Sequence, residues 1–271
     1  MPQRFDIYDL RDACADVRSV AMVGNAATIL ERQNGALVDA HDLVIRFNRA
    51  QVAGLEDKIG SRTDLLVANA ANSLQKAPSP ADTVRPRWLL CFIQPQPGLD
   101  IEPFREWAGD LPTVITLSPD ILEFARTDRK RGLTLGTYTL YTLLKLLPVE
   151  RLFVTGFTMY GAAGGASSKY YEPGSRAGGY HDVDEEAQLF SAILASYQGE
   201  LDVTPEVADV LVRHGHAERL QGATRGEAAT DAPSLYYRLL GRLAWRLLRT
   251  GFKLRRRFER GTSIQFDSLK R

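Results

Sequence analysis

Short apolar runs alternate with amphipathic segments along the first two hundred residues. The apolar runs of five or six residues predict strands, at 19–23, 43–47, 64–68, 88–93, 113–117 and 151–155. Apolar positions at helical spacing predict helices, at 26–33, 121–127, 136–147, 184–197 and 205–213. Strands that alternate with helices indicate an α/β fold, Rossmann-like, with a mostly parallel central sheet flanked by helices.

The remaining segments divide the chain into regions. Residues 75–87, with three prolines, and the Gly- and Ser-rich residues 162–179 predict loops. We expect residues 1–222 to form a catalytic domain and residues 223–233 to be a linker.

Residues 234–260 predict an amphipathic helix, because basic residues recur there at alternating steps of three and four. Residues 261–271 form a short tail. Residues 233–271 carry eleven basic and two acidic residues, whereas residues 1–232 have a formal charge of −8. The basic face favours a helix that lies on an anionic membrane surface. The alternative is a C-terminal helix that packs on the body and exposes a solvated arginine face.

Composition narrows the class of protein. The 271 residues are 44% hydrophobic and 25% charged, which is typical of a folded globular chain. The first residues are charged and no run reaches the about 18 apolar residues of a membrane span. Two cysteines are too few for a disulfide scaffold, which favours a location in the reducing cytoplasm. Together with the basic helix, this makes the expected location cytoplasmic, peripheral on the inner face of the cytoplasmic membrane. No nucleic-acid partner is expected.

The first candidate chemistry follows the first two predicted strands. Gly24 and Asn25 end the first strand, and Asn48 follows the second. In α/β proteins the carboxyl edge of the sheet binds nucleotides, so backbone N–H groups and two amide side chains there could hold a phosphate or a nucleobase. Two asparagines that only stabilise turns are the alternative.

Four segments together resemble glycosyltransferase family 29, the sialyltransferases. VGN at 23–25, DAHDLVIRFNRA at 39–50 and GLEDKIGSRT at 54–63 are similar to sialylmotif L, and residues 133–157 are similar to sialylmotif S. KYYE at 169–172 resembles the third motif, and His181 with Glu186 matches the His-x4-Glu pattern of motif VS. The order of the four motifs carries the resemblance, which implies a GT-A-variant sialyltransferase fold.

The resemblance implies an inverting transfer of a 2-keto sugar acid from a CMP-activated donor to a glycan hydroxyl. His181 is the expected base, since a histidine with an unperturbed pKa of about 6.5 is mostly neutral near pH 7. Glu186 is a supporting residue that organises a helix start. The donor would bind at residues of the first three segments: Gly24, Asn25, Asn48, Thr134, Leu135, Gly136, Gly156, Phe157, Lys169, Tyr170 and Tyr171.

The chain also departs from the family pattern. Lys169 stands where the third motif usually has histidine, and Leu135 replaces a hydroxyl residue in the motif S turn. Motifs L and S lack the cysteines that usually join them. A lysine keeps a positive charge that can meet the donor phosphate.

The sequence leaves alternatives open for the donor sugar, the acceptor and the reaction mechanism. Sialic acid and Kdo are both carried on CMP, and the basic helix favours a membrane-associated glycolipid or lipopolysaccharide precursor as acceptor. Neither a cofactor nor a metal is expected. The alternatives are a metal-dependent transferase that uses a nucleoside-diphosphate sugar, with Asp182 and Asp184 as ligands, and a degenerate CMP-binding protein associated with membranes.

Overall fold

A parallel sheet forms the centre of the computed structural model, which describes residues 5–70, 77–93, 100–116, 133–159, 169–172 and 182–222. Within these residues seven strands pair in the order β5-β4-β3-β2-β1-β6-β7, and every pair is parallel. The strands are β1 Ser19–Val23, β2 Leu43–Phe47, β3 Leu65–Ala68, β4 Trp88–Phe92, β5 Thr113–Thr116, β6 Arg151–Thr155 and β7 Glu200–Val203. The predicted α/β fold with a parallel sheet is confirmed.

Helices connect the strands, as parallel pairing requires. The α-helices of the described residues are α1 Ile7–Ala13, α2 Gly35–Asp39, α3 Glu56–Ile59, α4 Pro80–Thr83, α5 Glu102–Ala108, α6 Leu135–Leu146, α7 Val183–Ser196 and α8 Pro205–Arg213. Two 3₁₀ helices cover Ala27–Glu31 and Ala217–Gly222. None of these helices is both long enough and apolar enough to cross a bilayer.

Helices cover both faces of the sheet, so the inner strands are buried on both sides. In β2, Leu43, Ile45 and Phe47 pack into the large cluster beneath α1, α6, α7 and α8. Val44, between them in sequence, packs on the opposite face with residues of α2 and α3. Burial on both faces explains why the inner strands read as continuous apolar runs rather than as alternating patterns.

Several boundaries differ from the prediction. The predicted helix at 26–33 is the shorter 3₁₀ helix Ala27–Glu31, and Asn34 precedes α2. The predicted loop at 75–87 contains α4, which begins where Ser79 accepts a hydrogen bond from the Ala81 N–H, with Pro80 in the first turn. Strand β7 was not predicted, because its sequence ELDV has only four residues and no continuous apolar run. The predicted helix at 121–127 lies outside the described residues.

The order of the strands defines a crevice. From β1 the chain moves outward through β2, β3, β4 and β5, and it then returns to place β6 and β7 on the other side of β1. In such sheets, ligands bind at the carboxyl edge where the direction of winding reverses. That position lies between the ends of β1 and β6.

Candidate active site

Two glycines bring the ends of β1 and β6 into backbone contact. A Cβ on Gly24 would lie 2.2 Å from the carbonyl oxygen of Gly156, and Gly156 has a φ of +76°. The Gly24 N–H donates to the Thr155 oxygen at 2.8 Å, and the Ala26 N–H donates to the Gly156 oxygen at 3.0 Å. The floor of the crevice is therefore backbone packed against backbone, a contact that the two glycines allow because neither carries a side chain.

Asn25 connects three segments at this edge. Its Nδ2 donates to the oxygen of Phe47 at the end of β2, at 3.3 Å. Its backbone oxygen accepts from the Tyr170 N–H at 3.0 Å. Asn25 therefore ties the end of β1 to the end of β2 and to the 169–172 segment.

Asn48 follows β2 in a left-handed conformation, with a φ of 56°. Its N–H donates to the Val67 oxygen at 2.8 Å, which fixes the turn beside the end of β3. Its side-chain Oδ1 is buried and has no hydrogen-bond partner among the described residues. A buried carbonyl oxygen without a donor marks a place where a ligand donor or a water fits.

The 169–172 segment lies against the crevice. Lys169 forms a bridge with Ala26, and its Nζ lies 3.1 Å from a carboxylate oxygen of Glu172. The Lys169 side chain is 45% exposed, so this ion pair lies at the surface of the described residues. The structure thus places Lys169 beside Ala26 and Tyr170 beside Asn25.

A buried arginine supports the same region. Arg46 of β2 donates from Nη2 to the oxygens of Ile59 at 2.7 Å and of Gly60 at 3.0 Å. Burial lowers the pKa of Arg46 to about 10, and burial raises the pKa of the Tyr170 phenol. The Arg46 charge favours the ionised form of Tyr170, which shows that the two side chains share one buried environment. The sequence did not indicate this pairing.

The motif S turn is held by a glutamate from another helix. Glu186 of α7 is 2% exposed and accepts hydrogen bonds from the Thr134 N–H and from Thr137 Oγ1, each at 2.7 Å. A carboxylate at the start of α6 also interacts favourably with the positive end of that helix. The expected helix-organising role fits this geometry, but the helix that Glu186 organises is α6 and not its own.

Three more predicted donor residues lie on the far side of this turn. A Cβ on Gly136 would lie 2.6 Å from the Phe157 ring, so the glycine makes room for that ring. Phe157 also packs edge-to-face on Phe47 and stacks on Phe190. Leu135 packs partly buried against the same core. These side chains support the crevice floor from within.

Glu206 was missed by the sequence analysis. Its Oε1 accepts from the Gly156 N–H at 2.8 Å and from Thr204 Oγ1 at 2.5 Å. Glu206 stands in the first turn of α8, after β7, and so fixes the glycine turn at the end of β6. The only signal was the Thr-Pro-Glu sequence, which predicts a helix start and not a contact with Gly156.

Other predicted positions are only partly described. His181, the expected base, and residues 223–271, with the predicted amphipathic helix, lie outside the described residues. Asp182 accepts a hydrogen bond from the Glu185 N–H at 3.2 Å and caps α7. In the part of the chain that the structure describes, no three His, Cys, Asp or Glu side chains come together as a metal site would need.

The part of the chain that contains Gly24, Asn25 and Asn48 matches the model of a known protein family. The family model described as glycosyltransferase family 29 (sialyltransferase) matches residues 7–90, which contain β1 to β3 and most of β4. A β-1,6-galactosyltransferase of Arabidopsis thaliana is 44% identical over 52 residues, which are 19% of this chain and 13% of that protein. Residues 7–90 are therefore similar in sequence to glycosyltransferase family 29.

A curated sialyltransferase sequence and a solved sialyltransferase structure are also similar to this chain. The CMP-N-acetylneuraminate-β-galactosamide-α-2,3-sialyltransferase 1 of Gallus gallus is 44% identical over 46 residues, 17% of this chain. The match spans 14% of that protein, so this chain aligns with only a small part of either curated relative. A crystal structure of a mammalian sialyltransferase with Gal-β-1-3GalNAc-ortho-nitrophenol gives a TM-score of 0.47 at 20% identity, covering 74% of this chain and 76% of that one.

Proposed function

We propose that this chain is an inverting glycosyltransferase that moves a 2-keto sugar acid from a CMP-activated donor to a glycan hydroxyl. One observation carries the proposal. The segment that matches the family model contributes Gly24, Asn25 and Asn48 to the carboxyl edge, next to the point where the winding of the sheet reverses. Family sequence and the expected ligand position of an α/β fold thus coincide.

The crevice has the groups that a CMP moiety needs. Asn48 Oδ1, which has no partner among the described residues, can accept a hydrogen bond from an amino or hydroxyl group of the nucleoside. The ammonium group of Lys169, which stands beside Ala26 and pairs with Glu172, supplies a positive charge for the donor phosphate.

Chemistry at the anomeric carbon requires a base for the acceptor hydroxyl and stabilisation of the departing phosphate. We assign the first role to His181, five positions before the buried Glu186 that anchors the motif S turn. Lys169 takes the second role. Bond formation to the acceptor oxygen and loss of the CMP phosphate oxygen occur on opposite faces of the sugar, so the anomeric configuration inverts.

The residues indicate the chemical class of the donor sugar and of the acceptor. Sialic acid and Kdo share the 2-keto acid on CMP, so we propose either of them as the donor sugar. For the acceptor we propose a membrane-associated glycolipid or a lipopolysaccharide precursor at the inner face of the cytoplasmic membrane. The support is the sequence of residues 234–260, whose basic and apolar positions suit an anionic lipid surface.

A second candidate function has a specific observation in its favour. The Arabidopsis relative is named a galactosyltransferase, and galactose is a neutral hexose without the 2-keto acid. A transferase that uses a nucleoside-diphosphate sugar is therefore the alternative, with Asp182 and Asp184 as the metal ligands. EDTA would abolish its activity.

Incubation of the full chain with CMP-sialic acid, CMP-Kdo and UDP-galactose in separate reactions distinguishes these functions. Release of CMP and thermal stabilisation by one CMP-sugar, both unaffected by EDTA, are the expected results. Turnover of UDP-galactose alone, with loss of turnover in EDTA, would establish the alternative. Stabilisation by CMP without turnover of any donor across a panel of glycan acceptors would indicate the degenerate CMP-binding protein.

A further inference from the structure

The helix α8 contacts the turn that follows β6 through two oppositely charged side chains. Glu206, in the first turn of α8, accepts a hydrogen bond from the Gly156 N–H at 2.8 Å and another from Thr204 Oγ1. Arg213, in the last turn of α8, donates to the Thr158 oxygen at 3.3 Å. One helix therefore holds both ends of this turn.

Three buried side chains anchor α8 to the body of the protein. Val207, Val210 and Leu211 have no exposed surface and pack into the large core cluster that β2 also enters. Arg213 is itself held by an ion pair with Asp209 at 2.8 Å, one turn earlier in the helix. Because a closely packed core does not shift freely, α8 sets the position of the turn that it contacts.

From Gly156 the contacts continue into the candidate donor site. The Gly156 oxygen accepts from the Ala26 N–H at 3.0 Å, and Ala26 forms a bridge with Lys169. Next to Ala26, the Asn25 oxygen accepts from the Tyr170 N–H at 3.0 Å. These contacts join backbone to backbone, so a displacement of Gly156 also displaces the groups that are expected to hold the donor.

The surroundings of Glu206 separate its effect on geometry from its effect on stability. Glu206 also lines a cleft that is open to solvent. Water can therefore reach the Gly156 N–H when the carboxylate is removed, and a water forms nearly as good a hydrogen bond as a protein group. A water is not attached to α8, so it satisfies the N–H without fixing its position. Loss of Glu206 should therefore affect the geometry of the donor site more than the stability of the fold.

We propose that Glu206 is a positioning residue for donor binding, which acts through Gly156 and Ala26 and not through contact with the donor. Arg213 supports the same turn from the other end of α8. The inference rests on the proposed function, because it takes the crevice between β1 and β6 as the donor site. Glu206 lies outside residues 7–90, which match the family model, so the geometry alone carries this assignment.

The first part of the test needs no ligand. Amide hydrogen exchange of the full chain is followed by NMR in the wild type, Glu206→Ala and Glu206→Gln. In Glu206→Ala the amides of Ala26 and Tyr170 should exchange about tenfold faster, because the turn on which their hydrogen bonds depend is no longer held by α8. The Asn48 amide, which donates to the Val67 oxygen on the other side of β1, should keep its wild-type rate.

The second part measures the affinity for CMP by calorimetric titration. Glu206→Ala should bind CMP at least about tenfold more weakly than the wild type, since it loses a hydrogen bond to a charged group. Glu206→Gln should bind within about threefold of the wild type, because its amide oxygen still accepts from the Gly156 N–H.

Two control variants should bind CMP as the wild type does. Glu102→Ala removes a glutamate from the first turn of α5, which connects β4 to β5 at the other end of the strand order. Val210→Ala lowers the stability of α8 through the core and leaves the contacts of Glu206 with the turn in place. If Glu206→Ala does not fold, Glu206→Asp replaces it, since its carboxylate is one methylene further from Gly156.

Three results would overturn the inference. They are wild-type exchange of the Ala26 and Tyr170 amides in Glu206→Ala, wild-type CMP affinity in Glu206→Ala, and a loss of CMP affinity in Val210→Ala as large as that in Glu206→Ala. Failure of the proposed function has a different signature. The wild type would then bind no CMP, while the exchange rates would still respond to Glu206→Ala as predicted and would establish the hold of Glu206 on the turn.

Discussion

Replacing Gly24 with alanine should destabilise the fold at the crevice itself. The added Cβ would lie 2.2 Å from the Gly156 oxygen, against an ordinary contact of 3.4 Å or more, so the ends of β1 and β6 must separate by about 1 Å. That displacement breaks the hydrogen bonds from Gly24 to Thr155 and from Ala26 to Gly156. Two lost hydrogen bonds contribute about 2 kcal/mol and the overpacking contributes about 2 kcal/mol more.

The expected loss in the free energy of unfolding is therefore about 4 kcal/mol, measured by urea denaturation followed by circular dichroism. Gly54→Ala is the control, since Gly54 has a φ of +80° and a Cβ there would meet nothing within 4 Å. Its cost should be about 1 kcal/mol, from backbone conformation alone. The reasoning is refuted if Gly24→Ala costs no more than Gly54→Ala.

Three further predictions concern the base, the tail and a buried histidine. His181→Ala should lower the rate of transfer by about 10²–10⁴-fold while the Kd for CMP stays unchanged, and wild-type turnover in this variant would assign the base elsewhere. Deletion of residues 233–271 should abolish sedimentation with anionic vesicles, whereas the full chain should sediment less as salt rises; equal sedimentation of both forms would exclude a membrane helix. Burial lowers the pKa of His41, which is 3% exposed, so the unfolded chain takes up a proton first and stability should fall as pH drops below about 6.5. Thermal denaturation between pH 7.5 and 5.5 should show a flatter slope for His41→Phe than for the wild type, and equal slopes would contradict this assignment.

The strands of the central sheet could be predicted because both of their faces are buried. Runs such as LVIRF at Leu43–Phe47 are apolar at nearly every position, and the observed β1, β2 and β6 have the predicted limits. The edge strand β7 buries fewer side chains, so its sequence gives no comparable signal. Helices α2, α3 and α4 have only four or five residues, too few to show helical periodicity.

The site residues also fall into two groups, those that the sequence predicted and those that it did not. Gly24 and Asn25 were predicted because the signal is local, a strand that ends in a turn at the carboxyl edge. Glu206 could not be found in this way, because it lies fifty positions from Gly156 and meets it only through the pairing of β6 with β7. Arg46 was not singled out, because it lies within the apolar run of β2. Its four hydrogen bonds to the 59–63 segment depend on tertiary structure.

Calorimetric titration with CMP tests most directly whether the crevice between β1 and β6 is a CMP site. Asn25→Ala removes the amide that bonds to Phe47 beside the 169–172 segment, and Asn34→Ala, which precedes α2, is the control of the same residue type. The account predicts that the wild type and Asn34→Ala bind CMP equally, and that Asn25→Ala binds it at least about tenfold more weakly. Absence of CMP binding by the wild type, or equal affinity in a folded Asn25→Ala variant, would contradict it.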